Sequence, residues 1–378
     1  MKGGFRMLEK RIMLLVSQKC NLNCVYCYEH HKNNADMSLS LAKKILDSEL
    51  GKYEDRYEEP IIIELFGGEA FENFSLIKDI VEYISEKYSN LRIFYETTTN
   101  GTLIHGDIKR WLRNNREKFL ISLSLDGTQE MHDKNRMFYN NIGSFKYIDI
   151  NFFAETWPGC PAKMTVSKST LPSLADGIKF LEHYGFKCDA TISIGVDWSQ
   201  KEDLKILSRE LMKLVKYYSE DISKNLCTML NFDFRLLFSS LDEDYRFCGA
   251  GLELICFDTE GNKYPCQGFA PISIGSRAAD YKNFDERKFR FNEENMCKNC
   301  KFVKLCPNCY AANLQSTGNM QKVDKNLCSI YKICILASAK IQFNRIVSKK
   351  KFDKNDQLIL KGISIIQNEL GDIYDTCL

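Results

Sequence analysis

Sixteen cysteines in 378 residues set the first constraint on this chain. They are not scattered. Cys20, Cys24 and Cys27 fall within the stretch CNLNCVYCYEH (20–30), and eight more crowd residues 248–328. In a secreted chain such crowding reads as a disulfide framework. Here the opening MKGGFRMLEKR is polar and carries no apolar signal core, so a cytoplasmic location is expected. In a reducing compartment, clustered cysteines are read as metal ligands. The remaining composition is that of an ordinary globular protein, 44% hydrophobic and 27% charged. The net charge of +2 gives no pull toward nucleic acid or an anionic membrane. The apolar run Ile61–Leu65 is far too short to span a bilayer.

Between the two cysteine clusters, short β-rich runs alternate with helical patterns. Strands are expected at 11–18, 61–68, 91–101, 118–127, 162–168 and 188–196. Helices are expected at 38–50, with Ser38 or Ser40 as cap, at 74–88 and at 204–222. Six strands alternating with helices indicate parallel βα units. A full eight-stranded barrel needs about 250 residues, so a partial (β/α)6 TIM-like barrel is expected over 1–240. Residues 241–335 read as a cysteine-rich domain held by metal rather than by a large core. Residues 336–378 read as a helical tail. In βα folds the chemistry sits at the C-terminal strand ends. The cysteine loop, then GGE, TNG and SLDG, follow or close the first four strands in turn.

A structural zinc wants four ligands in a closed tetrahedron. The first loop offers three cysteines, with His30 and His31 nearby, so zinc stays open. An iron–sulfur cubane is normally held by four thiolates. Three would leave one iron free for a substrate or cofactor, by the logic of an open catalytic metal site.

C-x3-C-x2-C after the first strand of a βα domain resembles the radical S-adenosylmethionine enzymes. The resemblance implies that Cys20, Cys24 and Cys27 ligate a [4Fe–4S] cluster whose open iron chelates S-adenosylmethionine. The reduced cluster would cleave it to methionine and a 5′-deoxyadenosyl radical, which abstracts a hydrogen atom. Tyr26 matches the family's aromatic near the adenine. Gly67, Gly68 and Glu69 match the family's GGEP, with Ala70 replacing proline, and their backbone would receive the methionine amino group. Asn100 of TTTNG resembles the asparagine at the site's rim. Ser124 and Asp126 of ISLSLDG are candidates for ribose or carboxylate contacts. Arg136 of MHDKNR matches H-D-x-x-R, and its planar fork suits a carboxylate. Glu64, Tyr245 and Asp258 are further residues that could lie near the site or belong to the scaffold.

The later cysteines resemble the SPASM extension of radical enzymes that modify peptides: Cys248, then Gly261-x4-Cys266, then Cys297-x2-Cys300-x5-Cys306-x2-Cys309, then Cys328. The x2 before Cys309 departs from the family's x3. The resemblance implies two auxiliary [4Fe–4S] clusters, three in all. Cys248, Cys256, Cys266 and Cys309 would hold the first, and Cys297, Cys300, Cys306 and Cys328 the second. Read without the family, two C-x-x-C pairs also suit tetrahedral zinc, so a non-catalytic zinc-binding adaptor is the rival from another class.

Relatives with this extension act on peptides or proteins. They form cysteine thioethers or carbon–carbon or carbon–oxygen crosslinks, or they mature sulfatases by making formylglycine. Sulfatase-maturing relatives carry an aspartate base just after the cysteine of the G-x4-C element. Gln267 stands there, and a neutral amide is no base. CPNCYAANLQSTGN (306–319) resembles maturases of cysteine-rich ribosomal peptides, so thioether crosslinking of a precursor peptide is the expected activity. The expected partners are that peptide and a low-potential donor of flavodoxin or ferredoxin type, with no nucleic acid and no membrane. The first strand begins near residue 11, leaving no room for an N-terminal recognition domain. A separate leader-binding protein, or the barrel rim and SPASM groove, would then hold the peptide.

Overall fold

A computed structural model describes residues 10–53, 59–239, 248–285, 297 and 299–377, with backbone alone for 372–377. The elements run in chain order. They begin with β1 (Lys10–Ser17), α1 (Leu39–Leu50), β2 (Ile61–Gly67), α2 (Phe74–Lys87), β3 (Ile93–Thr99), α3 (Gly106–Asn115), β4 (Phe119–Ser124), α4 (Gln129–Asn135) and α5 (Ile150–Thr156). They continue with β5 (Pro161–Val166), α6 (Leu174–His183), β6 (Lys187–Ile192) and α7 (Lys201–Glu220). The last are β7 (Leu254–Phe257), β8 (Lys263–Tyr264), α8 (Pro271–Ile274), α9 (Tyr310–Thr317), α10 (Lys325–Val347) and α11 (Lys354–Cys377). This is a mixed α/β chain with parallel strands, as expected. No described helix is long and apolar enough to cross a membrane.

The chain packs as two compact units that interleave along the sequence. The first comprises 1–124, 136–160 and 248–290. Its strands lie in the order β4-β3-β2-β1-β7-β8, parallel except for β8. The interior strand β1 (KRIMLLVS) is buried along its last six residues, the pattern of a strand covered on both faces. Ser38 caps α1 by accepting from Leu41 N at 3.2 Å, which settles the choice between the two serines. Helix α2 buries Leu76, Ile77, Ile80, Val81 and Ile84, one apolar stripe at helical spacing.

The second unit comprises 125–135, 161–247 and 291–378. Here β5 and β6 pair in parallel from Pro161 opposite Lys187. Helix α7 buries Leu207, Leu211, Leu214, Val215 and Tyr218 and packs on α10. Helix α10 starts at Lys325, earlier than the tail's apolar run indicates, because Asp324 caps it by accepting from Asn326 N and Leu327 N. Cys328 therefore lies in a helical first turn.

Candidate active site: the three-cysteine loop and its supports

The GGE segment seats the cysteine loop. Gly68 N donates to Ser17 O at 3.2 Å, and Glu69 N to Lys19 O at 2.7 Å. A Cβ on Gly67 would lie 2.2 Å from Ser17 O. One on Gly68 would lie 2.5 Å from Lys19 O and 2.8 Å from the Cys20 Cβ. Both glycines exist so that the end of β2 can touch the backbone that launches Cys20. Within the loop, Cys27 N donates to Cys24 O at 3.2 Å, closing a turn around the cysteines.

Glu69 braces the neighbouring strand. Its buried carboxylate accepts from Thr99 Oγ1 at 2.8 Å, Asn100 N at 2.7 Å and Phe71 N at 3.2 Å. Burial pushes its pKa up to about 7, against those hydrogen bonds. Asn100 is buried, and both ends of its amide are engaged. Its Nδ2 donates to Asn21 Oδ1 at 2.9 Å, and its Oδ1 accepts from Thr102 N at 3.0 Å and Thr102 Oγ1 at 2.7 Å. The ends of β2 and β3 are thus tied to the cysteine loop.

Arg136 and Tyr26 come together: the guanidinium lies over the Tyr26 ring, 5.4 Å from its centre. The backbone there is fixed by Asn23 N donating to Met137 O at 2.7 Å and Ser144 Oγ to Arg136 O at 2.8 Å. Ser124 ends β4 and is buried. In the second unit, Asp126 is fully buried. Its carboxylate accepts from Asn135 Nδ2 at 3.0 Å and Thr165 N at 2.9 Å, joining the end of α4 to β5 within that unit.

The residues after Cys27 hold the loop from its other side, which the spacing of the cysteines does not reveal. Lys32 Nζ lies 2.8 Å from Cys27 Sγ and donates to Glu29 O at 2.9 Å. Glu29 is buried, and burial pushes its carboxyl up to about 7. Tyr28 hydrogen-bonds Gln267, and its phenol is pushed well above the usual range, by burial first and then by Glu29, Cys27 and Cys266. His31 N donates to Ile272 O at 3.0 Å. The His31 ring lies against Gly275, whose φ of 58° and lack of a Cβ make room for it. Gln18 Nε2 donates to Thr259 Oγ1 at 2.9 Å. Residues 28–31 are thus docked on the segment that carries Cys266.

Of the later cysteines in the first unit, Cys256 is fully buried on β7, opposite Met13 of β1 and Tyr264 of β8. Its thiol is pushed well above the usual range, by burial first and then by Cys266 and Asp258. Cys266 is half-buried and Cys248 exposed. In the second unit, Cys309 Sγ accepts from Ala312 N at 3.5 Å and caps α9. The same unit holds a cavity lined by Cys297, Cys300, Cys306 and Cys328, with Cys309, Phe302, Leu327, Tyr331 and Ile335. Burial, and then the other thiols, push Cys306 up to about 12 and Cys297 up to about 11. Four mutually coupled thiols in a largely apolar cavity fit a cubane, whose irons would draw off the protons. Among the described residues, no three His, Cys, Asp or Glu side chains surround a point suited to one metal ion. A four-iron cubane spaces its thiolates more widely than one ion does.

The other candidates fall into the scaffold. Glu64 pairs with Arg11 at 2.8 Å. Asp258 accepts from Glu260 N, Asn262 N and Asn262 Nδ2, each at 2.9 Å, and shapes the turn before β8. Cys160, Cys188, Cys227 and Cys334 are buried, and burial raises each thiol, so they pack as inert groups. Tyr245 and the Cys377 side chain lie outside the described residues.

Comparison with known proteins agrees with this layout. Residues 4–141 match a family described as a 4Fe-4S single cluster domain. An uncharacterized protein of Methanocaldococcus jannaschii is 34% identical over 180 residues, 47% of this chain and 60% of that protein. The radical SAM cyclopropyl synthase TigE of Paramaledivibacter caminithermalis is 23% identical over 86% of this chain and 73% of its own. A cysteine-type anaerobic sulfatase-maturating enzyme of Clostridium novyi is 25% identical over 77% and 84%. The structure of native anSMEcpe with bound AdoMet superposes with a TM-score of 0.68 at 19% identity, over 94% of this chain and 99% of that one. By its cysteine loop, its fold and these relatives, the chain is similar to enzymes of the radical S-adenosylmethionine family.

Proposed function

We propose that this chain is a radical S-adenosylmethionine maturase that crosslinks a precursor peptide, forming a thioether from a cysteine. The observation that carries the choice of chemistry is Gln267. It follows Cys266, hydrogen-bonds Tyr28 beside Cys27, and offers an amide where sulfatase-maturing relatives carry a carboxylate base. The family resemblance and the peptide- and protein-maturing relatives support the wider reading.

Cys20, Cys24 and Cys27 would hold the SAM-cleaving cluster, and Cys297, Cys300, Cys306 and Cys328 a closed auxiliary cubane. Cys248, Cys256, Cys266 and Cys309 would hold the other. Bound together, cluster and S-adenosylmethionine supply a 5′-deoxyadenosyl radical able to take one hydrogen atom from the peptide. Arg136 over Tyr26 positions a cation for a carboxylate, while Gly67 and Gly68 let backbone groups approach the loop. Thioether formation removes one hydrogen atom from carbon, taken by that radical, one proton from the thiol, and one electron, which an auxiliary cluster would accept. The peptide partner, a separate leader-binding protein, a flavodoxin- or ferredoxin-type donor and a cytoplasmic location belong to the same proposal.

The second reading is carbon–carbon or carbon–oxygen bond formation, the first of which the name of the cyclopropyl synthase relative favours. Formylglycine formation is the third, favoured by the sulfatase-maturating relative. Mass spectrometry with thiol alkylation separates them. Anaerobic protein, dithionite and S-adenosylmethionine are incubated with a cysteine-rich precursor peptide. Loss of two hydrogens and one alkylatable thiol is expected. Loss of two hydrogens with every thiol intact would favour the second reading, and exchange of sulfur for oxygen the third. Zinc with no iron in the purified protein would overturn all three in favour of an adaptor.

A further inference from the structure

The fold sets one ammonium directly against the three-cysteine loop. Lys32 Nζ lies 2.8 Å from Cys27 Sγ. It also donates to the Glu29 carbonyl at 2.9 Å, a backbone anchor that does not depend on the thiolate. The buried Glu29 carboxylate also acts on the Lys32 charge.

The potential of an iron–sulfur cluster depends on net charge and on hydrogen bonds to its sulfurs. One-electron reduction adds a negative charge, and the electron comes from an external low-potential donor. A fixed cation donating to a ligand sulfur favours the reduced, more negative state. We infer that Lys32 raises the reduction potential of the cluster held by Cys20, Cys24 and Cys27, and so makes the first step of S-adenosylmethionine cleavage accessible to its donor. This rests on the reading that those three cysteines hold that cluster. Lys32 is a positioning and tuning residue, since it acts through Cys27.

The test is a potentiometric titration followed by electron paramagnetic resonance, on anaerobically purified full-length protein, Lys32→Met and Lys32→Arg, with and without S-adenosylmethionine. The relevant cluster is the one whose signal S-adenosylmethionine alters. At a fixed low potential, Lys32→Met should hold about tenfold less of it reduced, a midpoint about 59 mV lower for a one-electron couple. Lys32→Arg keeps the charge and a donor and should stay near the parent. Signals that do not respond to S-adenosylmethionine should not move. An unchanged midpoint in Lys32→Met at full iron content overturns the inference. So does loss of iron from both variants alike, which would make Lys32 an assembly element. A parent protein with no signal responsive to S-adenosylmethionine would instead overturn the cluster assignment beneath it.

Discussion

Adding one methyl group at Gly68 should empty the SAM-cleaving site while leaving the rest of the protein folded. In Gly68→Ala the new Cβ would sit 2.5 Å from Lys19 O, 2.8 Å from Cys20 Cβ and 2.9 Å from Lys19 C. Two of those three atoms are backbone, so no side-chain rotation relieves the clash. The two strand-end hydrogen bonds, Gly68 N to Ser17 O and Glu69 N to Lys19 O, resist the shift that would. Overpacking at such a site costs about 1–3 kcal/mol. At about 2 kcal/mol the seated loop loses roughly thirtyfold in population to displaced arrangements. Cys20 is then out of register with Cys24 and Cys27. Iron and sulfide analysis of anaerobic protein should fall from about twelve irons toward about eight, given four per cubane, with a melting temperature lower by a few degrees. Full iron with an unchanged melting temperature would refute the idea that GGE seats the loop.

Three further outcomes are expected. Replacing Cys20, Cys24 and Cys27 together by alanine should remove about four irons and abolish 5′-deoxyadenosine formation, while replacing Cys297, Cys300, Cys306 and Cys328 should remove a different four. Arg136→Ala loses a cation–π contact worth about 0.5–2 kcal/mol and should weaken S-adenosylmethionine binding several-fold by calorimetry, with Arg136→Lys in between. Asp47 is held down to about 2 by hydrogen bonds from Lys87, Tyr83 and Tyr88. A depressed carboxylate gives stability that is present above its unfolded value of 3.8 and lost as pH falls through about 2. Acid unfolding followed by circular dichroism should therefore show a slope between those values that Asp47→Asn reduces.

The strands that carry the site were legible because each ends in a recognisable polar or glycine-rich turn. Their observed ends lie within a few residues of the expected ones, at Ser17, Gly67, Thr99 and Ser124. Helix α3 was not legible, because GDIKRWLRNN holds only three apolar residues, Ile108, Trp111 and Leu112, in a short and otherwise polar stretch. Strand β7 was missed because LICF is four residues long and its cysteine reads as a ligand rather than as core. The resemblance groups Cys297, Cys300, Cys306 and Cys328, and all four line the second-unit cavity. The ties made by Glu69, Asn100 and Asp126 were not. Each joins segments far apart in sequence, a relation that only the folded chain creates.

That register has a consequence for how the chain is born. Strand β1 pairs with β2, about fifty residues on, and also with β7, which begins at Leu254. The cysteine loop leaves β1 and is held at Ile272 and Gly275. During synthesis, β1 and β2 can meet early, yet the other edge of β1 stays unpaired until residues beyond 254 have emerged. At roughly 5–20 residues per second that wait lasts on the order of ten seconds or more. An apolar, unpaired strand edge held open that long is a template for association with other chains. The nascent protein must therefore pass through a state in which its most buried strand is its most exposed liability, and iron delivered before that state closes meets a loop still lacking half of its seat.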